Sequence, residues 1–87
     1  MTTQVFDYKT VSVRVIEILN EAFPNSAIQT AEGFEGRVHV KIISGALDDK
    51  SERVKQELVW EVLRARLDAE EQQAVSFILP YGIDELP

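Results

Sequence analysis

A chain of 87 residues, 45% apolar and 28% charged, fits one globular domain with a modest core. No apolar run approaches the ~20 residues of a membrane span, no basic-then-apolar leader opens the chain, and cysteine is absent, which excludes disulfides, thiolate metal ligands and cysteine nucleophiles. A single histidine and a net charge of −6 leave little for a metal site or a Ser-His dyad and oppose non-specific attraction to phosphate; the expectation is a cytoplasmic protein.

Residues 1–9 show no sustained period and read as a lead-in to a single domain over 10–82, with Val5, Phe6 and Tyr8 laying an aromatic edge on it. The spacing predicts a first helix over 10–23, capped by Thr10 or Ser12. Its apolar stripe is Val11, Val15, Ile18, Leu19, Ala22 and Phe23, with Arg14 and Glu17 on the wet side. Pro24-Asn25-Ser26 stops it. A short strand is expected over 27–32, then a turn at Gly33-Phe34-Glu35-Gly36, where glycines permit positive φ. Residues 37–44 are the clearest strand: Val38, Val40 and Ile42 alternate with Arg37, His39 and Lys41, giving one buried and one basic face.

The second helix is expected to start near Asp49, with Asp49 or Ser51 as N-cap, and to bury Val54, Leu58, Val62 and Ala65, widened by Val59, Leu63 and Leu67. Arg64 and Arg66 suit the negative end of its dipole. Residues 68–72 read as a polar connection, 74–79 as a last strand closed by Pro80 and Gly82, and 83–87 as a tail with little to fix it. A hairpin makes the first two strands antiparallel, and a helical crossover makes the last parallel to the second. The fold class is therefore α+β, in the order αββαβ: a three-stranded mixed sheet with two helices packed on one face and the other face open.

Several clusters could carry function. Lys50, Ser51, Arg53 and Lys55 at the start of the second helix form a candidate anion site, since free N–H groups there favour negative charge; Asp48-Asp49 beside them oppose it. Arg37, His39 and Lys41 could face nucleic acid, but no aromatic residue alternates with them on that strand to stack on bases. His39 alone is read as an exposed strand residue, because metal sites need several convergent ligands. Trp60 reads as core or helix-edge packing. The pairs Asp48-Asp49 and Glu70-Glu71 give no sign of converging on a substrate, so no enzymatic activity is expected.

Taken together, Val15-x-x-x-Leu19-x-x-Ala22-Phe23-Pro24, the strand Val38-His39-Val40-Lys41-Ile42-Ile43-Ser44, Leu47-x-x-Lys50-Ser51, the run Arg53 to Trp60, Leu67 and Ala74-Val75-Ser76 resemble the BolA-like family, whose topology is related to type II KH domains. Leu47, Asp49 and Trp60 stand where that family prefers Phe, Gly and Tyr, and Lys55-Gln56 looks like its Gln-bearing branch. The resemblance implies a protein partner, a monothiol glutaredoxin, and a role in iron–sulfur, redox or stress regulation, with Lys50, Ser51, Arg53, Lys55, Gln56 and Gln73 at the partner surface. It also implies a [2Fe–2S] cluster shared with that partner, ligated by a histidine just before the last strand and by a Cys or His between the first two. Gln73 occupies the first position, and the second offers only Glu35. A neutral amide is a poor iron ligand, so no cofactor is expected on the chain alone. The alternative function is a KH-like nucleic-acid-binding regulator using Arg37, His39, Lys41, Lys50 and Arg53.

Overall fold

The computed structural model describes residues 5–86; residues 1–4 of the expected lead-in and residue 87 of the expected tail lie outside the described residues. The first helix, α1, spans Tyr8–Ala22 and is capped by Asp7, rather than by Thr10 or Ser12. The Asp7 carboxylate accepts from the Thr10 N–H at 3.2 Å and the Thr10 hydroxyl at 2.8 Å. An aspartate cap satisfies an orphan N–H as well as threonine does, and here it lies one turn earlier. Val11, Val15, Ile18 and Leu19 are buried as expected, whereas Ala22 is exposed. Part of the lead-in belongs to the core: Phe6 is buried, and its N–H donates to the Glu35 carbonyl at 2.8 Å.

The strands are β1 (Ala27–Glu32), β2 (Val38–Ile43) and β3 (Val75–Tyr81), in spatial order β1-β2-β3. β1 pairs antiparallel with β2, and β3 pairs parallel to it, as the hairpin and the crossover require. Val38, Val40 and Ile42 lie almost fully buried under the helices. β3 runs through Pro80 instead of ending before it. As an edge strand, β3 can accept a residue without an N–H, and the Pro80 ring is buried opposite Ile42.

The second helix, α2, spans Glu52–Arg66 with Ser51 as N-cap. Its buried line is Lys55, Val59 and Leu63, continued by Leu67: the expected flank of Val59, Leu63 and Leu67 is the centre of the buried face, and Lys55 joins it. Leu58 and Val62 are half-buried on its flank, and Ala65 is exposed. Trp60 is half-buried and packs against the core. The supposed polar connection holds a third helix, α3, over Ala69–Ala74. Asp68 and Glu71 close a reciprocal capping box, with N···O distances of 2.8 and 3.0 Å, which satisfies two orphan donors. The order is thus αββααβ, with α1 and α2 covering one face of the sheet.

The turn between β1 and β2 is held by the chain's start. Gly36 has φ +76, and a Cβ there would overlap the Phe6 carbonyl oxygen. Gly36→Ala should therefore destabilise the fold by roughly 1–3 kcal/mol, read as a lower urea midpoint with an unchanged slope.

Candidate functional site

The start of α2 does not form an open basic cluster. The Lys55 side chain is 4% exposed, and its ammonium is paired with Glu85 and, at 3.3 Å, with Glu52. Glu85 belongs to a 3-10 turn over Ile83–Glu85, so the expected loose tail is fixed. Its carboxylate also accepts from the Gly82 N–H at 2.8 Å. The tail is further tied by Asp84, which accepts from the Asp49 N–H at 2.9 Å and donates its own N–H to Asp48 at 3.2 Å. A lysine pattern cannot announce such burial; a buried ammonium requires a partner, and the acidic pair Asp84-Glu85 was the available signal.

The other candidates have structural duties as well. Ser51 accepts from the Val54 N–H at 3.2 Å, and Gln56 donates to the Ile78 carbonyl at 2.8 Å, tying α2 to β3. Arg53 is exposed and 3.7 Å from Glu57; Lys50 is exposed. Gln73 lies far from this group. It is exposed near the end of α3, at the opposite end of α2, about 20 Å away by the rise of a 15-residue helix. The Gln73 carbonyl accepts from Arg37 at 3.1 Å, and the Arg37 guanidinium lies 5.0 Å from the centre of the Phe6 ring. Arg37 is therefore held at the sheet margin beside Gln73.

The open sheet face is richer than β2 alone suggests. Register places Phe77 beside His39, Leu79 beside Lys41 and Tyr81 beside Ile43. On the other side Ala31 and Gln29 flank His39 and Lys41. The His39 and Phe77 rings lie 4.2 Å apart between centroids, and the Lys41 ammonium sits 5.7 Å from the centre of the Tyr81 ring. The aromatic partners that β2 lacks thus come from its neighbour. Sequence reading missed them because VSFILPY is apolar on both sides of the strand, so its alternation marks no outward face.

No family model and no curated protein matches the chain. Among solved structures, the BolA domain of SufE1 from Arabidopsis thaliana is similar, at 18% identity and a TM-score of 0.58, over 85% of this chain and 93% of that one. The chain has a BolA-like fold. For the [2Fe–2S] cluster that the BolA-like resemblance implies, the donors do not fit. Gln73 presents a neutral amide, and Glu35 is the only acidic side chain in the β1–β2 turn. Among the described residues no group of three or more His, Cys, Asp or Glu side chains could hold a metal ion. His39, the one imidazole, is lodged between Phe77 and Gly33, where a Cβ would overlap its Nε2.

Glu85 gives this BolA-like chain a pH signature. Its hydrogen bond from the Lys55 ammonium, aided by the Gly82 N–H, holds the carboxyl below the usual range, and the same bond raises Lys55. The Glu85 contribution is present above the ordinary carboxylate value of about 4.3 and is lost as pH falls through the depressed one. The Lys55 contribution is present below about 10.4 and is lost as pH rises through the raised value. Glu85→Gln should therefore lower the urea midpoint at neutral pH, with its effect shrinking as the pH falls through the depressed Glu85 value.

Proposed function

We propose that the chain is a non-enzymatic interaction and regulatory protein of the BolA-like kind, acting in the cytoplasm with a monothiol glutaredoxin in iron–sulfur, redox or stress regulation. In this reading the partner carries the cluster chemistry and this chain supplies a docking surface. The observation that carries it is the combination of a BolA-like fold with an exposed Gln73 amide just before β3: the scaffold is kept while the ligand type is not. Exposed Lys50 and Arg53 on one end of α2 and Gln73 beyond the other bound the surface offered.

This reading is preferred to a nucleic-acid regulator acting through Arg37, His39, Lys41, Lys50 and Arg53. Asp48, Asp49, Glu52, Asp84 and Glu85 crowd the start of α2, and a phosphate there would meet more carboxylates than free cations. Titration with cluster-loaded monothiol glutaredoxin should shift the backbone amide signals of α2 and of the residues around Gln73; signals that stay in place would remove the proposal. Gln73→His should increase cluster retention in the mixed complex several-fold, seen in visible absorption, because imidazole ligates iron where an amide does not. An unchanged spectrum would count against ligand loss at this position.

A further inference from the structure

The ladder of β3 ends at Tyr81, whose carbonyl accepts from the Ser44 N–H at 3.0 Å. Beyond it, Gly82 leads into the turn Ile83–Glu85, which lies across the start of α2. None of the three turn residues is buried, and Ile83 is 53% exposed. The turn is held chiefly by polar contacts: the Lys55 ammonium on Glu85, the Asp49 N–H on Asp84 and the Asp84 N–H on Asp48. A segment with little buried apolar surface and exposed hydrogen bonds opens at a lower free energy than the whole fold.

Two features oppose those contacts. Asp49 is held at φ 61, a left-handed conformation that costs a non-glycine residue free energy, and its N–H is the group that Asp84 takes. The Asp48 and Asp84 carboxylates crowd the same point, where a Cβ on Gly82 would lie, so like charges face each other across the joint. Against both stands one strong bond, from Lys55 to Glu85. While the turn is closed the Lys55 side chain is 4% exposed, although Lys50 and Arg53 nearby are exposed.

We infer that the turn over residues 83–85 is an autoinhibitory strap hinged at Gly82: it opens as one unit, and only the open state adds Lys55 to Lys50 and Arg53 on the docking end of α2. The strap stands on contacts within this chain; its inhibitory role rests on the docking function proposed above. Because Glu85 already holds the ammonium, a partner that needs Lys55 binds the open fraction alone, and its affinity is reduced by that fraction.

Amide exchange on the full chain, followed by NMR, tests the strap without a partner. The Asp49, Gly82 and Asp84 N–H groups should share one level of protection, lower than that of the β2 amides. Asp84→Ala removes the acceptor of the Asp49 N–H and leaves Glu85 intact. It should nonetheless speed exchange at Gly82, whose acceptor is Glu85, about tenfold. Labelling of Lys55 by a limiting amine-reactive ester, measured against Lys50, should rise by a similar factor. Exchange as slow as in β2 would mean that the turn opens only with the whole fold, and a response confined to Asp49 would mean that it is not a unit. Either result would overturn the inference. Gly82→Ala keeps every charge, and its Cβ overlaps Asp84 and Asp48. It should speed exchange at Asp49 and Asp84 and raise the affinity for cluster-loaded monothiol glutaredoxin by the same factor. Docking at unchanged affinity despite faster exchange would overturn the inhibitory role and leave the docking function standing. Absence of docking by both the unaltered chain and Gly82→Ala would overturn the docking function and the inhibitory role together, with the exchange pattern deciding the strap itself.

Discussion

The two long helices pack on one face of the sheet, and that arrangement orders everything else. Two long helices are available, and both are committed to Val38, Val40 and Ile42 and their neighbours. Each fully buried Val, Leu or Ile contributes about 1.5–3 kcal/mol of transfer free energy, so the helices go where the apolar residues are densest. The second face is left to side chains that tolerate water while still offering apolar surface. Its makeup is rings and short alanines around one lysine.

The central element was legible because its alternation is strict. β2, the hairpin into it and the helical crossover out of it follow from period and turn chemistry alone, and with them the mixed sheet. α3 was legible in principle: Asp68-x-x-Glu71 has the capping-box spacing, but six residues are too few to display a helical period. Val59, Leu63 and Leu67 were legible as buried, but the centring of the α2 face on them was not, because it depends on Lys55 being inside. Periodicity sorts residues by polarity, and a lysine neutralised by a glutamate 30 positions later is sorted to the wrong side. The same blind spot left the tail without an anchor.

The candidate site divides the same way. Gln73 could be singled out from the sequence because the proposed reading turns on its identity, an amide where the BolA-like resemblance implies an imidazole. The start of α2 could not be judged, since whether a basic cluster is open or occupied depends on distant carboxylates. Aromatic residues beside His39 and Lys41 were hidden for a third reason: cross-strand neighbours are set by register, and the register of β2 with β3 shifts between Val38 and His39. Local chemistry is therefore read well from the chain, and chemistry assembled across strands is not.

The proline in β3 has a consequence for how copies of this protein meet. A free strand edge is a template for further strands, and proteins that stay dispersed interrupt it. Pro80 has no N–H to give, and the Ile78 carbonyl is already taken by Gln56, so two of the groups a fourth strand would seek are withdrawn within three residues. The sheet is poorly suited to growing past β3, by amyloid-like stacking or by swapping of strands between neighbours, even though its last strand is almost wholly apolar.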